Sequence, residues 1–494
     1  MSYTDTPEQA AIIDWKGVRL VVKAFAGTGK THTLVRYARA NPASRMLYLA
    51  YNRAVRDEAE QKFPFSVECK TSHQLAWPGF GRPLASRLTS NLRITDVARL
   101  LNTRHWPLAR TALETLNHFL CSADPEPGLM HLPAEKDRCG VALPDIIGAA
   151  QVLWQAMRSP QSDFPVTHDT YLKLYQLSNP DLSRRWGTIL FDEAQDANPV
   201  TRALVLGQKC NVVLVGDRHQ QIYRFRGADN ALDAPVLQDA DQLWLTQSFR
   251  FGPEVARVAN VLLERQGETQ TVKGSGSADR VVETLPGDTP HYTVLSRTVA
   301  GVIGAALSAS LNGKCVYWVG GIEGYKAEEL EDLYWFSVEM PERMRSPQLT
   351  KDYRDFAEYE SIAKATGDIG MNQGIRLLET YFPLPQKLKV LRAQAVKSES
   401  EADVTVSTAH RSKGLEWDTV MLDEDFADIT DPQMPEVERT DETNLLYVSV
   451  TRARRTLVMN GLIHALLNAP DKEDDKDKKG DGKKDESVGQ GRYA

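Results

Sequence analysis

Ala24-Phe-Ala-Gly-Thr-Gly-Lys-Thr31 is the most informative segment of this sequence for predicting its fold. A short β-prone run, Val18–Lys23, precedes it, and a helical pattern follows it as far as Ala40. Between a strand and a helix, two glycines let backbone N–H groups turn inward around phosphate oxygens, and the helix N-terminus adds a favourable dipole. The usual pattern begins with glycine, whereas Ala24 stands here. The strand-loop-helix context still predicts a phosphate-binding loop rather than an ordinary glycine-rich turn.

The residues of this loop have distinct expected roles. Lys30 is expected to reach the β- and γ-phosphates of a nucleoside triphosphate, and the Thr31 hydroxyl is expected to hold Mg²⁺. The other contacts to the nucleotide are expected from the loop and the first turn of the helix, at Ala26, Gly27, Thr28, Gly29 and His32.

Ile189-Leu-Phe-Asp-Glu-Ala-Gln-Asp196 supplies the second half of such a site, because a hydrophobic strand ends here in two adjacent acids. Asp192 is predicted to bind Mg²⁺ directly or through water, and Glu193 to orient or deprotonate the attacking water. The alternative for this segment alone is an exposed acidic turn. Together with the phosphate loop, it predicts hydrolysis of ATP or another nucleoside triphosphate with Mg²⁺.

Short apolar runs alternate with helical stretches along the chain, which is typical of α/β proteins with parallel strands. Continuous apolar runs predict strands that are buried on both faces. A first group comprises Val18–Lys23, Met46–Ala50, Thr188–Phe191 and Val212–Val215, and a second comprises Thr293–Leu295, Val404–Ser407, Thr419–Leu422 and Thr456–Met459. Two α/β cores are therefore expected, with helix-prone segments interrupting them.

The composition excludes several classes of protein. The 494 residues are 42% hydrophobic and 25% charged, an ordinary globular balance, and they exceed what one hydrophobic core usually spans. With a net charge of −7, any nucleic-acid site has to be a local basic lining. The five cysteines show no metal-ligand spacing, which argues against a zinc site or a disulfide scaffold.

The ends of the chain and its apolar runs predict the compartment. The N-terminus has no basic-then-apolar signal, and no apolar run approaches ~18 residues, so no membrane segment is expected. The protein is expected in the cytoplasm or associated with the nucleoid, and not to be secreted. From Asp471 onward Asp, Lys, Glu and Gly predominate, which predicts a disordered charged tail over 471–494 whose protein partner, if any, is unknown.

Further motifs, in a fixed order, make the sequence resemble the superfamily 1 helicases of the UvrD/Rep type. Besides Gln9 and the two segments above, they are Tyr51-Asn-Arg53, Thr71-Ser-His73, Val215-Gly-Asp-Arg-His-Gln-Gln-Ile-Tyr-Arg-Phe-Arg-Gly-Ala228, Leu245-Thr-Gln-Ser-Phe-Arg250, Ser407-Thr-Ala-His-Arg-Ser-Lys-Gly-Leu-Glu-Trp417 and Asn444-Leu-Leu-Tyr-Val-Ser-Val-Thr-Arg-Ala-Arg454. The phosphate loop and Val319-Gly-Gly-Ile-Glu-Gly-Tyr-Lys326 are most similar to the motor part of the F-box DNA helicases. The motor-like motifs begin near residue 5, so no F-box-like region is expected before them.

The resemblance implies an α/β fold with two RecA-like parallel-sheet cores, ATP in the cleft between them, and two mainly helical insertions. The first core is expected at 1–80 and 166–250, with its insertion at 81–165. The second core is expected at 251–325 and 401–470, with a short insertion at 326–400.

By the same resemblance, residues from both cores complete the nucleotide site. Gln9 matches the glutamine that hydrogen-bonds adenine, and Phe249 matches the aromatic residue that stacks on it. Arg250 and Arg452 match two arginines that contact the γ-phosphate, where guanidinium groups stabilise transition-state charge. Each of these residues alone also fits an ordinary place in the core or on the surface. The matches to the γ-phosphate sensor and to a ribose-contacting carboxylate are Gln220 and Glu416.

Tyr223-Arg-Phe-Arg226 interleaves aromatic rings with guanidinium groups, the combination that sequence-tolerant binding of single strands needs. Phe225 corresponds to a base-stacking aromatic residue of the family, with core packing as the alternative. Ser72 stands where the family commonly has an aromatic residue, so one stacking contact is expected to be missing or replaced. The other residues expected to contact nucleic acid are Asn52, Arg53, Thr71, His73, Tyr223, Arg226, His410, Arg411 and Lys413.

These features predict an ATP-dependent DNA helicase, or a translocase on single-stranded DNA, that acts on single strands and on single-strand/duplex junctions. The resemblance implies 3′-to-5′ movement and, by analogy only, a place in DNA repair or recombination. One alternative is an ATP-gated module that displaces protein from single strands without processive unwinding, which the short second insertion favours. Another is a nucleoside-triphosphate switch that binds no nucleic acid.

Overall fold

The structure, a computed structural model, describes residues 4–224, 227–287 and 289–468. Phe225 and Arg226, both expected to contact nucleic acid, lie outside these ranges, and so does the predicted tail at 471–494. Within the described ranges, no helix combines the length and the apolar content that crossing a bilayer requires.

The first sheet carries the phosphate loop. Within the described residues its strands are β1 (Arg19–Ala24), β2 (Met46–Ala50), β3 (Val67–Thr71), β4 (Thr188–Phe191), β5 (Asn211–Gly216) and β6 (Asp241–Leu245). They are parallel and lie in the order β3-β2-β4-β5-β1-β6. Leu20 and Val22 pack into an apolar cluster on one face, and Val21 packs into another on the opposite face. Burial on both faces explains the continuous apolar runs of the central strands.

The strand order brings three loops together at the carboxyl ends of neighbouring strands of this sheet. Neighbouring parallel strands release their loops side by side at their carboxyl ends. The phosphate loop follows β1, Asp192 follows β4 and Asp217 follows β5, and these three strands are adjacent.

A second parallel sheet forms the other core. A two-stranded parallel pair, β7 (Gln247–Ser248) and β8 (Lys273–Gly274), comes before it in the chain. The strands of the second sheet are β9 (Arg280–Val282), β10 (Tyr292–Ser296), β11 (Val316–Trp318), β12 (Ala395–Val396), β13 (Val404–Thr408), β14 (Trp417–Leu422) and β15 (Ala453–Val458), in the order β12-β11-β13-β10-β14-β15-β9. The prediction of an α/β fold with two parallel-sheet cores is confirmed.

Helices connect the strands and fill the two interrupting segments. Several begin at side-chain caps: the Asn52 side chain accepts the Val55 N–H, and the Thr71 hydroxyl accepts the Gln74 N–H. In chain order they are α1 (Pro7–Ile13), α2 (Lys30–Ala40), α3 (Arg53–Lys62), α4 (Ser72–Ala76), α5 (Ile94–Leu100), α6 (Trp106–Cys121), α7 (Leu143–Arg158), α8 (His168–Leu177), α9 (Pro199–Leu206), α10 (Pro253–Arg265), α11 (Val299–Leu311), α12 (Ala327–Ser337), α13 (Gln348–Asp352), α14 (Phe356–Thr366), α15 (Ile369–Thr380), α16 (Leu384–Gln394), α17 (Glu436–Val450) and α18 (Gly461–Leu467).

The helical segments contact each other across the molecule. Helices α5–α7 fall in the segment predicted as the first insertion, and α12–α16 fall in the second. Arg93 lies 3.1 Å from Asp352, and Arg110 lies 3.4 Å from Asp368. Two ion pairs therefore join the helices inserted in one core to those inserted in the other.

Four strands at sheet edges, β3, β6, β9 and β12, have no counterpart in the sequence prediction. Strand β3 alternates buried and half-buried residues, β6 begins with exposed residues, and β9 has no buried residue. An edge strand has one unpaired side and a thinner cover, so it needs no continuous apolar run.

Candidate nucleotide site and nucleic-acid interface

Gly27 and Gly29 give the phosphate loop its shape. Their φ angles are +75° and +78°, in the left-handed region that favours glycine. A Cβ atom on Gly27 would lie 2.5 Å from Ser248 Oγ and 2.7 Å from Arg250 Cβ. The Phe249 N–H donates to the Gly27 carbonyl at 2.9 Å. The loop therefore lies directly against the segment that carries Phe249 and Arg250.

Lys30 and Thr31, the first residues of α2, face the two acids that follow β4. Lys30 Nζ lies 3.3 Å from Glu193 Oε1, and Thr31 Oγ1 donates to Asp192 Oδ2 at 2.8 Å. Burial alone lowers the pKa of Lys30, but the nearby carboxylates, of which Glu193 acts most strongly, hold it above its ordinary value. The lysine is therefore an ammonium ion at the mouth of the phosphate loop.

Asp192 is buried and highly constrained. Besides Thr31, the Tyr48 hydroxyl donates to Asp192 Oδ2 at 2.8 Å, and Asp192 Oδ1 accepts the Glu193 N–H at 2.9 Å. Burial raises the pKa of this carboxyl group, and the neighbouring Glu193 raises it further, against the opposing effect of Lys30. These contacts fix the carboxylate in one orientation.

The oxygens of Thr31 and Asp192 fit a Mg²⁺ ion. Mg²⁺ prefers hydroxyl and carboxylate oxygens and usually keeps several ligands from water and from substrate phosphates. The hydrogen bond between these two side chains brings both oxygens to one point beside the phosphate loop. Among the described residues there is no group of three or more His, Cys, Asp or Glu side chains placed to hold a metal ion.

Glu193 is a half-buried carboxylate held between Lys30 and Gln195. Its backbone adopts φ +51°, which turns the side chain back toward Lys30, and Gln195 Nε2 donates to its Oε2. Burial alone raises the pKa of this carboxyl group, but Lys30 and Lys413 lower it to about 2. It is therefore an ionised acceptor near neutral pH.

Arg452 brings the second core into this site. The side chain is 1% exposed, and Nη2 lies 3.4 Å from Gln220 Oε1. Gln220 Nε2 in turn donates to Asp217 Oδ2 at 2.7 Å. Burial lowers the pKa of Arg452 to about 9, and the positive charge of Arg250 contributes to the same direction. The predicted γ-phosphate sensor and one predicted arginine are therefore in contact.

Tyr447 also joins the two cores. This tyrosine lies on α17, and its fully buried hydroxyl accepts the Ala26 N–H of the phosphate loop at 3.1 Å. The same hydroxyl donates to Asp217 Oδ2 at 3.2 Å. A side chain of the second core therefore completes the hydrogen bonding of a loop in the first.

The second predicted arginine, Arg250, is paired with the predicted ribose contact. Arg250 Nε donates to Glu416 Oε2 at 2.7 Å, and Nη1 donates to the Thr451 carbonyl at 3.1 Å. Glu416 also lies 3.6 Å from Arg454. Arg250 thus connects the wall of the phosphate loop to the second core.

The residues predicted to hold adenine surround Gly29. A Cβ atom on Gly29 would lie 3.3 Å from Gln9 Nε2 and 3.9 Å from both Phe249 Cδ2 and His32 Cβ. Gln9 is 4% exposed, and its side-chain oxygen accepts the Thr6 N–H at 3.0 Å. That capping bond fixes the amide with its NH₂ group on the side of the loop.

Lys413 points into the cleft rather than along the predicted nucleic-acid track. Its ammonium group donates to Asp196 Oδ2 and, at 2.6 Å, to the Gln220 carbonyl. Asp196 Oδ1 is buried without a hydrogen-bond partner among the described residues. This geometry favours a link between the cores over contact with a phosphate backbone, and the predicted nucleic-acid contact of Lys413 stays a prediction.

Tyr223 and Tyr51 form an aromatic pair beside the cleft. Their ring centroids are 5.5 Å apart and their planes differ by 11°. The Tyr223 hydroxyl donates to the His410 carbonyl at 3.0 Å. A cavity of about 380 Å³ adjoins the pair and reaches Asn52, Ser72 and His73, among other residues. The structure thus gathers side chains from three of the predicted nucleic-acid segments.

The remaining predicted nucleic-acid residues lie in different surroundings. Arg53 is 84% exposed, and His73 lies 3.4 Å from Asp169. The Arg411 guanidinium lies 4.5 Å from the Tyr325 ring and donates to the Gly324 carbonyl. Asn52 and Thr71 cap helices through their side-chain oxygens. The contact of these residues with a nucleic-acid strand stays a prediction.

Tyr48, Tyr51, Asp196 and Tyr447 belong to the site but were not singled out by sequence reasoning. Tyr48 and Tyr447 lie in apolar runs and look like core residues, since only the structure shows what their hydroxyl groups contact. Tyr51 had a usable signal, because it begins the motif Tyr51-Asn-Arg53, and it lines the same cavity as Ser72.

Two family profiles match the chain. Residues 147–235 match the UvrD/REP helicase N-terminal domain, and residues 314–462 match the UvrD-like helicase C-terminal domain. These ranges contain, respectively, the acids after β4 with Gln220, and Lys413 with Arg452.

Two F-box DNA helicases match nearly the whole chain, and a third relative matches about half of it. The F-box DNA helicase 1 of chicken is 33% identical over 94% of this chain and 49% of its own length. The F-box DNA helicase protein 1 of Schizosaccharomyces pombe is 32% identical over 93% of this chain and 58% of its own length. The ATP-dependent DNA helicase UvrD2 of Mycobacterium tuberculosis is 25% identical over 56% of this chain. The chain thus spans about half the length of the F-box relatives. With its two parallel-sheet cores and both matching domains, the chain is similar to the UvrD-like helicases.

Proposed function

We propose that this chain is the motor of an ATP-dependent DNA helicase that moves along single-stranded DNA in the 3′-to-5′ direction. The observation that carries the proposal is the contact of Arg452, from the second core, with Gln220 beside the phosphate loop of the first. A triphosphate site built from both cores couples nucleotide turnover to their relative position. The names of the relatives support DNA as the substrate, whereas direction and a role in repair or recombination rest on family resemblance.

ATP binding in this proposal uses both ends of the loop. The loop N–H groups and Lys30 hold the phosphates, while Phe249 stacks on adenine and the Gln9 amide hydrogen-bonds it. Mg²⁺, bound through Thr31 and Asp192, would neutralise charge on the phosphates.

Hydrolysis needs a proton acceptor and positive charge near the transferred group. Glu193, ionised at neutral pH, accepts a proton from the attacking water as the water oxygen bonds to the γ-phosphorus. The bond from that phosphorus to the β,γ-bridging oxygen breaks, so that ADP leaves with this oxygen and inorganic phosphate is formed. Arg250 and Arg452 stabilise the charge on the phosphoryl oxygens in the transition state, and Gln220 reports whether the γ-phosphate is present.

Coupling to DNA runs through the contacts between the cores. Lys413 joins the second core to Asp196 and to the Gln220 carbonyl, and its ammonium group lies 5.4 Å from the Tyr223 ring. A change at Gln220 therefore reaches the Tyr51–Tyr223 pair through one side chain. In this proposal the pair stacks on a base, and Tyr51 supplies the aromatic face that Ser72 lacks.

A second candidate is an ATP-gated module that displaces bound protein from single strands without processive unwinding. The small size of the second group of inserted helices, α12–α16, favours it. Both candidates share the nucleotide site and the base-stacking pair, so ATPase measurements alone do not separate them.

The central experiment is ATP hydrolysis with and without single-stranded DNA over a salt series, followed by the same series with RNA. We expect stimulation that weakens steeply with salt, because phosphate contacts dominate binding. Lys30→Ala is expected to lower stimulated turnover by roughly hundredfold or more. Lys62→Ala, which removes a half-exposed surface lysine, is the matched control and should leave turnover unchanged. Wild-type turnover that ignores DNA would contradict the proposal.

Duplexes with a 3′ or a 5′ single-stranded overhang test direction and unwinding. The proposal expects ATP-dependent unwinding from the 3′ overhang. Release of a protein bound to the single strand, without unwinding of either duplex, would favour the displacement module instead.

A further inference from the structure

His219 forms a buried polar contact between the cores that the proposed mechanism does not use. The side chain is 2% exposed and lies in the turn between Asp217 and Gln220. Its Nδ1 lies 3.1 Å from Gln266 Oε1, and its Nε2 lies 3.1 Å from Glu268 Oε2. Both partners follow α10, so the imidazole connects the first core to the second.

A chain of hydrogen bonds fixes the direction of each contact. The Gln221 carbonyl can only accept, and Asn444 Nδ2 donates to it at 2.9 Å. Asn444 therefore presents its oxygen to Gln266 Nε2, at 2.8 Å, and Gln266 in turn presents its oxygen to His219 Nδ1. Because the carboxylate of Glu268 faces Nε2, both ring nitrogens face acceptors. An imidazole that donates from both nitrogens carries two protons and a positive charge.

The surroundings suit such a cation. Glu268 is 8% exposed, and its other oxygen accepts the N–H groups of Thr269 and Gln270. Burial alone raises the pKa of Glu268, but hydrogen bonds from His219 and from these N–H groups hold it below its ordinary value. The rings of Phe25 and Tyr447 lie 6.3 Å and 6.1 Å from the imidazole. His219 and Glu268 line a small cavity, and the other charged residues that line it are Lys23, Asp217, Arg218 and Asp233.

The same turn carries the proposed γ-phosphate sensor. The backbone N–H of His219 donates to Asp217 Oδ1 at 3.0 Å, while Gln220 Nε2 donates to Asp217 Oδ2. Movement of the His219 side chain relative to the second core therefore moves Asp217 and Gln220 with it.

We propose that His219 is a positioning residue which, as an imidazolium ion paired with Glu268, holds the Gln220 turn against the second core. Closure of the nucleotide site then requires a proton on His219 and weakens as the pH rises and that proton is lost. Loss of the proton leaves Glu268 as a buried anion without its counter-charge, which is strongly unfavourable. The protonation of His219 is independent of the proposed function, whereas the effect on nucleotide affinity rests on it.

The first test reads the proton directly. In protein labelled with ¹⁵N-histidine, we expect the His219 ring nitrogens to show imidazolium shifts at pH 7 and the neutral pattern at high pH. His219→Gln or, if that variant folds poorly, Glu268→Gln assigns the signal. A neutral His219 at pH 6 would overturn the proposal whether or not the protein hydrolyses ATP.

The second test reads the consequence for the nucleotide. For the wild type we expect KM for ATP to rise roughly three- to tenfold between pH 6.5 and 8.5, with a smaller change in kcat. His219→Gln and Glu268→Gln should have a high KM that varies little over this range. His464→Gln is the matched control, because His464 pairs with Glu283 at 3.2 Å on the surface.

Each outcome of the second test has one meaning. A wild-type pH profile in His219→Gln would overturn the positioning role, even with an imidazolium signal present. Absence of ATP hydrolysis in the wild type would overturn the proposed function and leave the ¹⁵N result as the test of the proton.

Discussion

At the scale of single residues, Asp196 is a side chain whose charge we expect to change with pH close to neutrality. Its side chain is fully buried beside Lys413. Burial raises its pKa from 3.8 to about 6, in spite of the lysine. The folded protein therefore binds this proton more tightly than the unfolded chain does. The stabilising contribution of that proton is complete below pH 3.8 and is lost as the pH rises through about 6.

Asp196→Asn tests this sign. The neutral amide imitates the protonated acid, whereas the wild-type carboxyl group loses its proton between pH 4.5 and pH 7. The difference in unfolding free energy, variant minus wild type, should therefore be larger at pH 7 than at pH 4.5, by about 1–3 kcal/mol. Urea unfolding at both pH values measures this difference of differences. Asp57→Asn, at a half-exposed position, should show almost no such change. An equal effect for the two variants would contradict the buried-charge account.

The partners of Lys413 show which contacts could not be predicted from the sequence. Its motif placed it among nucleic-acid contacts, but its ion-pair partner, Asp196, is 217 positions away in the sequence. Lys30, Thr31, Asp192 and Glu193 were easier to bring together, because each follows a strand of the same parallel sheet and the motifs mark the strand ends. Contacts across the cleft depend on how two cores pack, and local sequence carries little information about that.

At the scale of elements, the phosphate loop depends on the missing Cβ of Gly27. Gly27→Ala would force a side chain into a left-handed conformation and against Ser248 and Arg250. We expect a loss of about 2 kcal/mol or more in unfolding free energy, together with a raised KM for ATP. Thermal melts and ATPase titrations measure the two effects.

Gly148→Ala is the control for this loop prediction. Gly148 lies within α7, and a Cβ there would have open space, with no atom within 4 Å apart from the neighbouring backbone of its own helix. Alanine should raise stability by about 0.5–1 kcal/mol, since glycine is a poor residue for a helix interior. Destabilisation of similar size at both positions would show that the loop places no special demand on Gly27.

Burial explains which elements the sequence predicted. Met46–Ala50 and Thr188–Phe191 were predicted with the observed bounds because both faces of these strands are covered and every residue is apolar or buried. Edge strands such as β3 and β6 lack that pattern. Gly274 lies in β8, where a Cβ atom would stand 2.0 Å from the Gly252 carbonyl oxygen, so the glycine serves close packing.

At the scale of the whole molecule, the ion pairs between the two groups of inserted helices limit how far the cores can separate. Arg110→Glu replaces attraction to Asp368 by repulsion. We expect weaker contact between α6 and α14 and roughly fivefold faster amide hydrogen exchange there, as for a loss of about 1 kcal/mol. Hydrogen-exchange mass spectrometry measures this.

Arg158→Glu is the control for the contact between insertions. Arg158 pairs at 2.8 Å with Glu126, which lies in the same inserted segment, between α6 and α7. Its reversal should leave exchange in α14 unchanged. The same exchange in α6 and α14 for wild type and Arg110→Glu would mean that apolar packing alone holds the insertions together.

The bond from Tyr447 to Ala26 spans 421 positions of the chain. During synthesis on the ribosome, the phosphate loop emerges long before the hydroxyl that satisfies its N–H group. A nascent chain with a complete first sheet therefore still has an unfinished loop. In the proposed function, full affinity for ATP therefore requires that α17 has left the exit tunnel and docked.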